Sequence, residues 1–291
     1  MTGHPQAKRA RSAKGARRFA VPAAAFLLMA LTIPIDVYAG AGEMCAAQRF
    51  GSDLNCTAND VQLVNLVLSS SYGGPLSCVA GQTITLDIDA TFQSSPAQRY
   101  DVGFFVSEDG KSPQDLPGSG GANTCHVGIL PETPDPPFAD LDGDNCGEVR
   151  ANQSGTTTLT GVTVRCQADT SGQLEIPMVV SWSQNAGSII CMSSLDPVPG
   201  TTSKCSGGLV GTIPPIAVFG SLTIRKETVP DGDPQAFNYS ASTTSGQPLS
   251  TTGFALTDGQ SQPITIPITG SSRDITVTEA ALSGWNLSSL P

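Results

Sequence analysis

Eight cysteines constrain this chain more than any other feature. They are Cys45, Cys56, Cys78, Cys125, Cys146, Cys166, Cys191 and Cys205, and none follows in the remaining C-terminal stretch. An even set confined to one part of a chain reads as a disulfide framework when the chain is exported, and as a metal or redox site when it stays in a reducing compartment. The metal reading fails on spacing. There is no Cys-x-x-Cys pair, and the only histidine beyond His4 is His126. A zinc site built from these residues would lack the usual ligand geometry. Spacing alone leaves the connectivity of up to four disulfides open.

The start of the chain supplies the export signal. Lys8, Arg9, Arg11, Lys14, Arg17 and Arg18 precede an apolar run from Phe19 to Ile35, and Val37-Tyr38-Ala39 places small residues ahead of a cut. That order is a secretory signal peptide over residues 1–39, with cleavage expected after Ala39. A retained anchor is the competing reading. The run is shorter than the roughly 20 residues a spanning helix needs, and Pro22 and Pro34 interrupt it. Arg17-Arg18 alone is a weak sign of twin-arginine export.

Charge narrows the partners. The whole chain has 15 basic and 25 acidic residues, and losing residues 1–39 removes six basic and one acidic, leaving 9 against 24 and a net charge of −15. Such a surface disfavours nucleic acid and anionic membranes, which bind through basic patches. It suits a secreted or cell-surface protein kept in solution by its own charge.

Alternation of apolar and polar residues sets the fold class. Gln82–Ala90 alternates through Ile84, Leu86 and Ile88, and Tyr100–Val106 alternates through Val102 and Phe104. Leu159–Cys166 and Leu174–Trp182 do the same, with Pro177 in the latter suggesting an edge strand or a bulge. Residues 107–155 break the rhythm with many Gly, Pro, Asp and Ser residues and read as one long excursion. Residues 59–68 fit helix or strand. No credible helix of any length follows the signal. Residues 206–220, rich in Gly and containing Pro214-Pro215, read as a linker. Beyond it, short strands separated by Asp231-Gly232 and Asp258-Gly259 form a cysteine-free unit. The expectation is all-β: a cysteine-rich β-sandwich at 40–205, a linker at 206–220, and a second sandwich at 221–291.

In that second unit, Ser221-Leu-Thr-Ile-Arg-Lys226, Phe254-Ala-Leu-Thr-Asp-Gly259 and Ile275-Thr-Val-Thr-Glu279 with Gly284-Trp285 form an ordered set. It resembles the prealbumin-like (SpaA-type or CnaB-type) domains of bacterial surface and pilus proteins. The resemblance covers about seventy residues and implies a stalk or spacer domain without enzymatic activity. It also implies a last strand after the Gly-aromatic pair, so residues 221–291 read as lacking that strand. In such domains a lysine like Lys226 bonds covalently to an Asn or Asp of the final strand, with a glutamate like Glu279 assisting. The first unit is loosely similar to cysteine-rich β-sandwich regions of exported bacterial proteins of unknown function.

Two sets of residues stand out as sites. Asp140, Asp142, Asp144 and Glu148 fall within nine residues. Their mutual repulsion would be relieved by calcium, a hard cation that takes six to eight oxygen ligands. The spacing departs from an EF-hand loop, since Gly143 occupies the fourth position and Ala151 the twelfth. A solvated turn clamped by Cys146 is the alternative. The second set is the isopeptide pair, Lys226 and Glu279. Period two places Lys226 behind Leu222 and Ile224, and Glu279 behind Ile275 and Val277, so each ionisable group follows an apolar face inward and the two should meet. The alternative is that both snorkel to solvent from strand ends.

Catalysis is not expected. His126 directly follows Cys125 and reads as a structural residue, and no pair of carboxylates is marked out for glycoside hydrolysis. Leu130-Pro-Glu-Thr-Pro134 resembles a sortase signal but ends in Pro, is internal and has no apolar tail. The expected function is an exported structural or adhesion-type protein. A calcium-dependent module for carbohydrate or protein ligands on a cell surface comes second, and the non-catalytic part of a larger extracellular enzyme third.

Overall fold

The computed structural model describes residues 39–95, 97–130, 138–143, 146–186, 204–244, 246–269 and 274–286. The signal segment (residues 1–38), Asp144, Cys191 and residues 131–134 of the sortase-like stretch lie outside them. The described chain is almost entirely β-structure arranged in several sheets.

The period-two runs are strands. β1 (Ala39–Glu43), β2 (Val61–Leu68), β3 (Ser77–Val79), β4 (Thr83–Ser94) and β5 (Tyr100–Ser107) come first. They are followed by β6 (Cys125–Ile129), β7 (Phe138–Ala139), β8 (Glu148–Val149), β9 (Ser154–Arg165) and β10 (Gln173–Ser183). β11 (Lys204–Arg225), β12 (Phe237–Thr243), β13 (Gly253–Leu256), β14 (Ser261–Pro267) and β15 (Ile275–Glu279) complete the set. A seven-stranded sheet runs β1-β6-β5-β10-β11-β14, with β3 parallel to β11. A three-stranded sheet β2-β4-β9 faces it.

The main core lies between these two sheets. From β4 and β9 come Leu86, Ile88, Phe92, Leu159 and Val162; from the larger sheet come Val102, Phe104, Ile176, Val180 and Trp182. Phe92 stacks on Phe104 with ring centroids 6.1 Å apart. The alternation is what makes this possible, since successive strand side chains leave on opposite faces.

The other face of the larger sheet is also covered. Phe105, Val127 and Val179 point there and meet Cys45, Ala46 and Ala122. The cover is a five-residue helix, α1 (Ala46–Phe50). All eight residues of β5 are therefore buried, including Asp101 and Phe105, where alternation alone had suggested a half-buried strand. Among the described residues, one short α-helix does follow the signal, with a single 3-10 turn at Pro117–Ser119. Gly128 in β6 is required by this packing, because a Cβ there would come within 2.3 Å of the Phe104 ring.

Three further expectations are corrected. The excursion at 107–155 contains β6, which pairs β5 from Ser107↔Cys125 to Gly103↔Ile129, because long-range pairing supplies what local composition does not. Residues 206–220 are not a linker in conformation. They belong to β11, which pairs β10 from Trp182↔Lys204 to Gln173↔Ala217 and β3 from Ala217↔Ser77 to Phe219↔Val79. β10 is an interior strand, not an edge, because β5 and β11 flank it; Pro177 lies one residue before the β5 pairing begins at Met178↔Val106, and the β11 register shifts between Met178 and Val180, as in the bulge that is the alternative expectation.

Three disulfides are described: Cys45–Cys125, Cys56–Cys205 and Cys78–Cys166, spanning 80, 149 and 88 residues. Cys146 is also disulfide-bonded, to a partner outside the described residues. The first bond ties the root of α1 to β6, and the second ties the lead-in to the start of β11. Loops this long give large entropic stabilisation, about 4–5 kcal/mol each in the chain-entropy picture. Such bonds suit an extracellular or oxidising setting. Among the described residues no helix is long and apolar enough to cross a membrane.

The C-terminal strands pair in a second arrangement. β14 lies on β11 from Phe219↔Pro267 to Arg225↔Ser261. The sheet β13-β12-β15 faces this ribbon. Phe237, Tyr239 and Leu256 are buried between them, with Ile224, Phe254, Val277, Leu282 and Trp285 partly covered.

Candidate functional site

The acidic loop is built on a short ribbon. β7 and β8 pair through Ala139↔Glu148 and Phe138↔Val149. Val149 exchanges two backbone hydrogen bonds with Arg99, each 3.0 Å, and Val102 N–H donates to Gly147 O at 3.0 Å. With the Cys146 disulfide, these contacts fix the loop at its base. Asp140 then closes a turn, its Oδ1 accepting Gly143 N–H at 2.6 Å, and Gly143 has the left-handed φ of 92° that such a turn demands.

Glu148 is the fixed member of the group. It is 0% exposed, and its Oε2 accepts Leu141 N–H at 2.5 Å. Asp142 is half-buried beside it and Asp140 is exposed. One ligand oxygen from each of the three lies within 4.8 Å of the others. Two oxygens bound to one calcium ion at about 2.4 Å can stand no more than about 4.8 Å apart, a limit that every pair of the three meets. Three carboxylates supply fewer than the six to eight oxygens calcium takes, leaving carbonyls and water for the remainder. The ligand pattern also differs from the alternating opening read in the sequence. Asp140 and Asp142 come from the turn and Glu148 from a strand, while Asp144 lies outside the described residues.

The second candidate pair is in contact. Lys226 Nζ donates to Glu279 Oε1 at 2.9 Å, with the two side chains 12% and 28% exposed. The other carboxylate oxygen, Oε2, accepts the hydroxyl of Tyr239 at 2.8 Å. Lys226 Nζ also sits 3.9 Å from the centroid of the Phe237 ring, a cation–π contact. Burial, reinforced by the hydrogen bond and the negative charge of Glu279, holds the Tyr239 phenol above the usual tyrosine range. The arrangement is an ion pair capped by a phenol. An isopeptide bond needs an Asn or Asp carbonyl at the amine, and among the described residues the polar partner of Nζ is Glu279. Sequence reasoning missed Tyr239 and Phe237. The signal was present, since Phe237, Tyr239 and Ala241 alternate along β12 as Leu222, Ile224 and Lys226 do along β11.

No family model, curated protein or solved structure matches the chain.

His126 completes the inventory. It lies on β6 opposite Val106, is 2% exposed, and neither ring nitrogen has a hydrogen-bond partner among the described residues. Burial pushes its pKa down to about 4, so the ring is neutral at physiological pH. A histidine without a polar neighbour to receive or supply its proton is poorly placed for general acid–base work.

Proposed function

We propose that the chain is an exported structural protein of adhesion type, secreted or held at a cell surface, with no catalytic role of its own. One observation carries this reading: three described disulfides close loops of 80, 149 and 88 residues and tie the lead-in, β3 and the start of β11 into one framework. A framework of this kind serves a protein that must keep its shape outside the cell, where no chaperone restores it. The buried, neutral His126, neither of whose ring nitrogens has a hydrogen-bond partner among the described residues, favours a non-catalytic role. The Lys226–Glu279–Tyr239 cluster acts here as a non-covalent clamp between β11 and the facing sheet. Fractionation of the producing organism tests the proposal, with the protein expected outside the cytoplasm and oxidised.

A second reading is a calcium-dependent module for carbohydrate or protein ligands. What favours it is the convergence of Asp140, Asp142 and the fully buried Glu148 within 4.8 Å. Calcium should then raise the thermal midpoint by mass action. Asp142→Asn with Glu148→Gln should remove that response, and a ligand signal on a glycan array should vanish in EDTA. A melt unchanged by millimolar calcium leaves the structural reading alone.

A further inference from the structure

Among the described residues, the C-terminal half of β11 has one edge covered by a strand and one edge that no strand pairs. Lys226 N–H donates to Gln260 O at 3.0 Å, so Leu222, Ile224 and Lys226 turn their backbone groups toward β14. The alternate residues, Ser221, Thr223 and Arg225, turn theirs the other way. On that other side β3 accompanies β11 as far as Phe219, whose carbonyl accepts Ala80 N–H at 2.7 Å. Beyond it, no strand among the described residues pairs with Ser221–Arg225.

The facing sheet is open on the same flank. Ala280 N–H donates to Asn238 O at 2.8 Å, so Thr276 and Thr278 face β12 while Ile275, Val277 and Glu279 present their backbone outward. The Lys226–Glu279 contact sets β11 across from β15. On the opposite flank β13 lies beside β14, and Ser250 N–H covers the outer edge of β14 by donating to Thr265 O at 3.0 Å.

Side-chain exposure follows the same asymmetry. Leu222 and Ile264 are cross-strand partners on one inward face, yet Leu222 is 37% exposed and Ile264 is 0%. Ile224, Ile275 and Val277 on the open flank are half-buried, while Ile266 and Leu256 toward the closed flank are buried. The opening is therefore a slot with unpaired backbone on its rim and aliphatic side chains inside.

We propose that this slot is a strand-acceptor site: it takes an extended, uncharged segment of another polypeptide, apolar at alternate positions, as a new strand along Ser221–Arg225. The new strand would continue the lane that β3 occupies upstream. Its alternate side chains would enter between Leu222 and Ile224 on one wall and Ile275 and Val277 on the other. Backbone hydrogen bonds supply affinity in such additions, and the alternate pockets supply selectivity. Charge argues for a neutral occupant. Lys226 is paired with Glu279, and Arg225 Nε with Glu227 Oε1 at 2.6 Å, leaving no unmatched charge along the acceptor residues of β11. It argues against a second copy as the occupant, because the chain is strongly acidic, −10 in full and −15 beyond residue 39, and two copies would repel. The proposal is independent of where the protein resides and of the calcium reading.

Hydrogen exchange on the full chain tests it, with an acetylated and amidated heptapeptide of alternating Thr and Val as the probe. The amides of Thr223 and Arg225 should exchange quickly in the free protein and slow by about tenfold or more at saturating peptide. Leu222→Glu, at an already exposed position, should abolish the protection. Thr223→Pro should do the same by removing a rim donor that β14 does not use. Val64→Glu, on the exposed side of β2, should leave it intact. Failure of the peptide to protect these amides overturns the proposal. So does slow exchange in the peptide-free monomer, which would mean that the chain fills its own edge, or protection that appears only as protein concentration rises, which would make the occupant a second copy.

Discussion

Acid should destabilise this protein through His126. The ring is buried and neutral, with a pKa near 4 in the folded chain against 6.5 when exposed. Below pH 6.5 the unfolded chain takes up a proton that the folded chain refuses. Stability is thus full above pH 6.5 and is lost as pH falls toward 4. At one proton, linkage gives a loss of about 2 kcal/mol at pH 5 and about 3 kcal/mol at pH 4. The two carboxylates whose pKa values are depressed, Asp109 and Asp258, act lower. At Asp109 burial pushes the pKa up, but hydrogen bonds from Asn123, Lys111 and Ser107 outweigh it; at Asp258 the backbone N–H groups of Gly232 and Thr228 hold it down, so both stay below the ordinary 3.8 and their contribution is lost progressively as pH falls through that value. Buried carboxylates such as Glu148 and Asp101 are common to the wild type and to a variant without the imidazole, so the difference between the two isolates the histidine. Urea unfolding at pH 7.5, 6, 5 and 4.5 measures it, with His126→Leu as the comparison, since leucine fills similar space without a titrating group. The wild type should lose stability relative to the variant across the window. Parallel curves would refute the reasoning, as would a wild type equally stable at pH 7.5 and pH 5.

Removing the longest cross-link, by Cys56→Ala with Cys205→Ala, should cost about 5 kcal/mol from loop entropy alone and should shift the urea midpoint accordingly. Lys226→Met leaves Glu279 and Tyr239 partly buried without the ammonium and should cost about 1–3 kcal/mol, while Lys226→Met combined with Glu279→Leu should recover part of the loss. Both are read from urea unfolding. Intact mass should equal that of the chain beyond the cleavage site after Ala39, less the disulfide hydrogens; a further deficit of one ammonia or one water, restored by Lys226→Ala, would make the clamp covalent.

Much of this architecture was legible in the residues, and the gaps have definite causes. β4, β9 and β10 are readable because their apolar residues alternate without a break against a single core. β5 was only half readable. Phe105 is buried by α1 and the lead-in, whose docking depends on Cys45–Cys125, an interaction across 80 residues. β11 was misread because glycines and Pro214-Pro215 look like a linker, whereas pairing with β10 and β3 decides its conformation. Ile213, Ile216 and Val218 carried the better signal, being fully or almost fully buried. In the acidic loop, sequence counted charges but could not grade them. Glu148 looked like the least regular ligand and is the deepest, because β8 hangs on Arg99 and Val102. The inward faces of Lys226 and Glu279 follow from period two, but their 2.9 Å separation depends on how the two sheets face each other.

The central claim is an exported fold held by disulfides, and the thiol state of the protein in its own cells tests it most directly. Cells would be quenched in acid and the protein alkylated before and after reduction, with mass spectrometry locating each label. The account predicts a protein outside the cytoplasm whose Cys45, Cys56, Cys78, Cys125, Cys166 and Cys205 label only after reduction, linked as Cys45–Cys125, Cys56–Cys205 and Cys78–Cys166. A cytoplasmic protein with these six thiols free would contradict it.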